Sequence, residues 1–225
     1  MSVWKAALLV AEKDLRIEMR TREITTTTAL FAVLVVVLAS LSFYLDRGTA
    51  RQLAPGVLWI SVAFAGVLAM GRSWSREREH DAMRGLLSSP IPRAGIYHGK
   101  LISTLLFLSV VEILLVPLIG VLFHLDLFDV LGRVVLILFL GTLGFCAAGT
   151  LFAVMTVRTA ARDLAISVAL FPLVAPALLA GVVAMRELLD GATFESSLGW
   201  IRILLAFDIL FLIGGTLLFE PLTSD

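Results

Sequence analysis

Six long apolar stretches constrain the fold of this chain more than any other feature. They lie at about 25–44, 55–70, 101–123, 131–155, 164–185 and 201–219. Each approaches the length of about 20 residues that an α-helix needs to cross a bilayer core. None alternates with the period of two that marks a membrane β-barrel. The sequence therefore predicts an all-α integral membrane protein, a six-transmembrane-helix bundle forming one domain over residues 1–225.

The distribution of positive charge predicts how these helices are oriented. Of the 18 Lys and Arg residues, 13 fall in the N-terminal segment, in residues 71–100 and in the connection between the fourth and fifth spans. Six spans place these three regions on one side of the membrane, and the other side carries the remaining 5. Because Lys and Arg accumulate in cytoplasmic connections, we expect both termini in the cytoplasm and residues 71–100 as the main cytoplasmic loop.

The N-terminal segment, residues 1–24, is too short and too polar to be a further span. Apolar residues recur in it at intervals of three and four, while the charged residues fall elsewhere; the apolar set is Trp4, Leu8, Ala11, Leu15 and Met19. This pattern predicts an amphipathic helix that lies in the membrane surface with Trp4 towards the lipid. A short helix in solvent is the alternative.

The sequence carries no motif of an enzyme. The nucleotide-binding pattern G-x-x-x-x-G-K-[ST] is missing, and so are H-E-x-x-H and G-x-S-x-G. The three histidines, at positions 80, 98 and 124, are isolated, and Cys146 is the single cysteine. We therefore expect no metal site, no covalently bound cofactor and no catalytic residues in this chain.

Two acidic residues fall inside predicted spans. Glu112 lies near the middle of the third span, and Asp208 lies in the outer part of the sixth. An ionised carboxylate at that depth costs about 2.5–3.5 kcal/mol, so such residues face a bundle interior or a cavity. We expect a protonated Glu112 that is hydrogen-bonded to a neighbouring helix, with a place on a translocation path or subunit seam as the equal alternative. For Asp208 an interhelical hydrogen bond is favoured.

Small residues form a stripe on the fourth span. Gly141, Gly144 and Ala148 recur at intervals of three and four. Such stripes let two membrane helices approach closely, so they predict helix packing within the bundle or across a dimer.

The stretch GRSWSREREHDAMRGLLSSPIPR, residues 71–93, concentrates charge between two apolar spans. Its first part reads as a polar extension of the second helix, and a short apolar group follows before Pro90. An apolar centre with a charged rim is typical of a protein docking surface. The loop packing against its own bundle is the alternative. The predicted docking residues are Arg76, Glu77, Arg78, Glu79, Asp81, Met83, Arg84, Leu86 and Leu87.

The same stretch resembles the cytoplasmic coupling region of short ABC-type export permeases. In these, a charged run leads to a Leu pair, Ser-Pro, an Arg and a Gly-Lys that opens the next helix; here SREREHDAMRGLLSSPIPRAGIYHGKL carries these elements in order. The opening KDLRIEMRTRE, the stretch PGVLWISVAFAGVLAMGRSWSREREHDAMRGLLSSP and the six-span plan resemble the CcmB family, the heme exporter permeases of cytochrome c maturation, over nearly the whole chain.

This resemblance implies a permease without its own ATPase, located in the bacterial inner membrane. It implies a separate ATPase subunit, CcmA, which binds ATP and docks on the predicted coupling residues, and two permease copies per complex. It also implies the membrane subunits CcmC and CcmD and the haem chaperone CcmE as partners, with haem as cargo of the complex. Two roles stay open at this point: haem export, and release of the haem-loaded chaperone. A non-transporting scaffold is the rival function.

Overall fold

A computed structural model describes residues 1–42, 47–79, 85–86, 88–155 and 162–223, without the side chains of residues 47, 78, 79 and 162–169. The described residues form seven long α-helices and one short 3-10 helix. The α-helices are α1 (Val3–Thr21), α2 (Glu23–Ser42), α3 (Arg47–Glu79), α4 (Arg93–Leu122), α5 (Leu131–Met155), α6 (Arg162–Leu189) and α7 (Phe194–Thr223), and the 3-10 helix is Phe128–Val130.

Six of these helices, α2 to α7, are long and apolar enough to span a membrane. This confirms the predicted all-α membrane fold. Helix α5 has the predicted bounds, whereas four helices extend beyond their predicted apolar stretches, above all α3, which continues to Glu79, and α4, which already begins at Arg93. Hydropathy identifies only the part of a helix that lies in lipid, so it does not predict the polar ends of these helices.

The turn between α1 and α2 is made by one residue, Arg22. Ser2 caps the start of α1, where its Oγ accepts a hydrogen bond from the amide of Lys5 at 3.4 Å. Arg22 adopts a left-handed conformation with φ 53°, and its amide donates to the carbonyl of Glu18 at 2.6 Å. A left-handed residue directly after a helix is a common way to end it. The chain therefore turns sharply from α1 into the first span.

The fourth span, α5, is the centre of the bundle and packs against α3, α4, α6 and α7. In its most hydrophobic window 78% of the residues are buried, compared with 22% in α2 and 28% in α7. The exposed sides of α2 and α7 are apolar, and lipid or membrane partners would cover them. Gly141 of α5 lies against the ring of Trp59 from α3, and Ala148 is fully buried.

Helix α1 packs along the first turns of α4. A Cβ added to Gly95 or Gly99 of α4 would lie 2.5 Å from the Cβ of Ala6 or 2.6 Å from that of Val10, respectively. Glycine at both positions therefore allows the two helices to touch closely. Trp4 of α1 is 65% exposed and stacks on the His98 ring of α4 with ring centres 5.4 Å apart. Leu8 and Met19 of α1 are also largely exposed, as in a helix that lies in the membrane surface.

Candidate functional site

The connection between α3 and α4, residues 80–92, contains most of the predicted docking residues. Asp81, Met83, Arg84 and Leu87 lie outside the described residues. Arg78 and Glu79 continue the backbone of α3. Leu86 is half-buried and packs partly against the chain's own core, which is the packing that the alternative reading expected, while Gly85 is exposed.

Two of the predicted docking residues, Arg76 and Glu77, are engaged within the chain. Glu77 is only 4% exposed. Its Oε1 lies 2.5 Å from the Nζ of Lys13 on α1 and 2.6 Å from the Nζ of Lys100 on α4. The reason is that the polar extension of α3 lies beside α1 and the start of α4, which bring opposite charges to it. Glu77 is therefore not part of an exposed rim.

Lys100 is the most deeply buried charged residue at this end of the described structure, with 1% exposure. Besides Glu77, its Nζ contacts Oδ2 of Asp14 on α1 at 2.9 Å. It also lies 5.8 Å from the centre of the Trp74 ring, within the range of a cation–π interaction. Ser103 donates a second hydrogen bond to the same Asp14 oxygen at 3.1 Å. A buried ammonium is thus shared between carboxylates from two different helices.

A second set of ion pairs surrounds this centre. Arg76 contacts Glu18 of α1 at 3.1 Å and Glu23 of α2 at 3.2 Å. Arg72 contacts the other oxygen of Glu23 at 2.9 Å. The whole group has four acidic and four basic members and is called the charge cluster below: Lys13, Asp14, Glu18, Glu23, Arg72, Arg76, Glu77 and Lys100. It joins α1, α2, α3 and α4 at the end of the bundle that carries the connection.

The charge cluster also acts on the pKa of Lys13. Burial lowers this pKa, but the neighbouring carboxylates of Asp14 and Glu77 outweigh burial and leave the pKa above its usual value of 10.5. Lys13 therefore stays positively charged at neutral pH. The equal number of acidic and basic groups keeps the cluster neutral as a whole, which a partly buried site requires.

Sequence reasoning did not identify the charge cluster or the α1–α4 contact. A signal for the contact was present, because GIYHG, residues 95–99, is a G-x-x-x-G pattern of the kind that brings membrane helices together. Between these glycines, Tyr97 is fully buried and its hydroxyl lies 3.1 Å from the carbonyl oxygen of Ala147 and 2.9 Å from that of Phe211. Tyr97 therefore ties the start of α4 to α5 and α7.

Glu112 forms the interhelical hydrogen bond that the sequence predicted. It lies on α4, is 8% exposed, and accepts a hydrogen bond from the hydroxyl of Thr142 on α5. It also lines a groove of about 710 Å³ between α4, α5 and the Phe128–Val130 turn. Glu112 and Ser109 are the polar residues of this groove, and the others are apolar or glycine.

Asp208 lies on α7 and faces α5, where its carboxylate packs against Gly144. It is 3% exposed. Within the described residues its oxygens form no side-chain hydrogen bond, but they lie against the backbone of Gly144 on α5, which is the interhelical contact that the sequence favoured. Glu112 and Asp208 thus contact opposite sides of α5, and the structure does not bring them into one site.

These features define the class of the protein. A helical bundle with six apolar helices long enough to span a bilayer is a multi-pass membrane protein. The family model described as CcmB protein matches residues 5–220. The chain therefore belongs to the CcmB family, and the resemblance of its sequence to that family is confirmed.

Relatives named "Heme exporter protein B" resemble the chain over most of its length. The protein from Paracoccus denitrificans (strain Pd 1222) is 28% identical over 186 residues, covering 83% of this chain and 84% of the relative. The protein from Bradyrhizobium diazoefficiens is 27% identical over 179 residues, or 80% of both chains. The protein from Pseudomonas aeruginosa is 26% identical over 203 residues, or 90% of both.

Proposed function

We propose that this protein is the membrane subunit of an ABC-type heme-export complex whose ATP is hydrolysed by a separate subunit. The observation that carries the proposal is the family match over residues 5–220, together with the name that the relatives share, "Heme exporter protein B". The missing nucleotide-binding motif in this sequence agrees with an ATPase on another chain.

The connection at residues 80–92 is the proposed docking point of that ATPase. It joins two long helices, α3 and α4, that reach beyond the apolar stretches. Both helices are tied together next to the connection by the pair of Glu77 and Lys100 at 2.6 Å. A push on the connection would therefore act on two spanning helices at once, and this is what coupling to an external motor requires.

The proposed assembly follows the family. Its ATPase is CcmA, its further membrane subunits are CcmC and CcmD, and the acceptor of haem is the chaperone CcmE. Two copies of this chain and two ATPase copies complete it. The complex lies in the bacterial inner membrane with both termini of this chain in the cytoplasm, in agreement with the distribution of Lys and Arg.

ATP-driven release of the haem-loaded chaperone, with no cargo passing through this chain, is a second candidate, and the surroundings of Glu112 favour it. Glu112 is hydrogen-bonded to Thr142, and the groove that it lines is mainly apolar. A translocation path for a charged cargo would need further polar groups at this depth. Under this alternative, ATP hydrolysis rearranges the complex so that the loaded chaperone leaves, and no cargo passes through this chain.

Docking is tested by placing charge on the connection. Leu86→Asp combined with Leu87→Asp is expected to abolish copurification of the ATPase, because the docking surface loses its apolar centre. Phe128→Asp is the matched control, since Phe128 is 88% exposed on the turn between α4 and α5. Because Leu86 packs partly on the bundle, membrane insertion and thermal stability are measured for each variant. Unchanged copurification by a normally inserted double variant contradicts the proposed docking.

Transport and chaperone release are separated by a second experiment on the purified complex. The haem-loaded chaperone is added with ATP or with a non-hydrolysable analogue, and its release is followed by size-exclusion chromatography. Release that occurs only during hydrolysis supports chaperone release as the function. Haem transfer to an empty chaperone on the far side of a reconstituted vesicle supports export.

A further inference from the structure

The ion pairs of Lys100 fix the position of α1 along α4. Its buried ammonium is 2.9 Å from Asp14 on α1 and 2.6 Å from Glu77 on α3. A buried charge that loses its partner is strongly destabilising, because the interior solvates it poorly. Sliding α1 along α4 by one helical turn, about 5.4 Å, would break the contact with Asp14. The two helices are therefore held in one register.

The last turn of α1 is held by Glu18. One of its oxygens pairs with Arg76 of α3 at 3.1 Å, and the other accepts a hydrogen bond from the amide of Thr25 on α2 at 2.7 Å. Glu18 is 5% exposed. It thus joins the last turn of α1, the first turn of α2 and the extension of α3. Attachments at Asp14 and Glu18, one turn apart, leave α1 little freedom to rotate against α3.

The exposed side of α1 contacts α4 at one end, where Trp4 stacks on the His98 ring with ring centres 5.4 Å apart. Trp4 is 65% exposed, Leu8 62% and Met19 77%. This side carries both apolar residues and the exposed ion pair of Glu12 and Arg16, and it lies away from the carboxylates that pair with α3 and α4. A helix that is fixed by charge to a pair of spanning helices and exposes an amphipathic side can carry their movement into the membrane surface.

We propose that α1 is a transmitting element that moves as one body with the ends of α3 and α4, and that the bond between Asp14 and Lys100 positions it for this task. Movement starts at the connection, residues 80–92, passes through α3 and α4, and reaches α1 through the charge cluster. The inference rests on the proposed function, since the movement originates in the ATPase. Lys100 and Asp14 are positioning residues that contact no cargo.

The test separates transmission from simple stability. Asp14→Leu combined with Lys100→Met removes the bond while leaving the remaining cluster neutral, and such apolar replacement of a buried ion pair is often tolerated. Glu12→Gln with Arg16→Gln is the matched control, because it removes an exposed ion pair of 2.5 Å on the same helix. Thermal stability, ATPase copurification and the cellular yield of mature c-type cytochrome are measured for both.

We expect the Asp14/Lys100 double variant to melt like the unaltered protein and to retain the ATPase, but to lower the cytochrome yield about tenfold, a usual size for coupling between two sites. The control keeps its yield. A stable double variant with normal yield overturns the inference. If that variant does not insert, Asp14→Asn replaces it in the test. This change keeps the shape of the side chain and the hydrogen-bond acceptor for Ser103, and a normal cytochrome yield of Asp14→Asn again overturns the inference.

Failure of the inference is distinguishable from failure of the proposed function. If the unaltered protein does not copurify with an ATPase, the proposed function is wrong, and the inference falls with it. If the unaltered protein binds the ATPase and the bond can be removed without effect on the yield, only the role of α1 is refuted.

Discussion

Replacement of Lys100 by Met gives the sharpest prediction for stability. The ammonium of Lys100 is 1% exposed and serves two carboxylates, on Asp14 and Glu77, which are themselves 7% and 4% exposed. Its removal leaves the charge cluster with one excess negative charge in a buried place. Breaking a buried ion pair by removing one partner typically costs about 3–5 kcal/mol.

Lys13 reduces this cost, because it contacts Glu77 at 2.5 Å and Asp14 at 3.2 Å and stays in place. We therefore expect the lower end of the range, about 3 kcal/mol of unfolding free energy. Arg16→Gln is the control, since Arg16 belongs to an exposed pair on one helix, and such pairs contribute about 0.3–0.5 kcal/mol.

Both variants are measured in the same detergent by reversible unfolding with SDS, and the free energies are compared with that of the unaltered protein. Adding Asp14→Leu to Lys100→Met restores the charge balance, so most of the lost stability is expected to return. A loss below about 1 kcal/mol for Lys100→Met, the level of an exposed pair, would refute the reasoning that the ammonium is buried between two carboxylates.

Three further predictions follow from the helix contacts and from the pKa of Lys13. Gly99→Leu places a side chain against Val10 and is expected to lower the free energy of unfolding by about 1–3 kcal/mol. Gly132→Leu, where an added Cβ has no neighbour, is expected to leave it unchanged. Both variants are compared by unfolding in SDS. Thr142→Val removes the hydrogen bond to Glu112 and is expected to cost about 0.6 kcal/mol, a usual value between membrane helices, and a loss above 2 kcal/mol would contradict a single hydrogen bond. Because the folded protein raises the pKa of Lys13, the protonated side chain of Lys13 stabilises the fold fully below pH 10.5, and this contribution is lost as the pH rises above that value. Melting temperatures of the unaltered protein and of Lys13→Met are compared between pH 7 and pH 9. A melting temperature that falls over this range in the unaltered protein but not in Lys13→Met would contradict the predicted direction.

The sequence predicted the spans because hydropathy is a local property. The hydropathy of a stretch of about 20 residues depends on that stretch alone. Each of the six predicted stretches overlaps one of the six helices that could span a membrane. The helix ends were harder to predict. The extension of α3 to Glu79 is polar, and its helical form is supported by contacts with α1 and α4, which are remote in sequence.

The candidate site was predicted only in part, because its charges pair over long sequence distances. Glu77 is 64 residues from Lys13 and 23 from Lys100. Read as a local run of charges, Glu77 looks exposed, and only the packing of α1 on α4 shows that it is buried. Asp14 likewise has partners far along the chain, since Ser103 lies 89 residues from it. By contrast, the hydrogen bond of Glu112 to a neighbouring helix was predicted correctly, because a carboxyl at that depth is costly without a partner.

Site-specific photo-crosslinking in native membranes tests the central claim that a separate ATPase drives this membrane body through the connection at residues 80–92. A photoreactive residue at position 85, which is exposed, is expected to capture the ATPase subunit. The same residue at position 128, exposed on the turn between α4 and α5, is expected to capture none. An ATPase adduct at position 128 with none at position 85 would contradict the account.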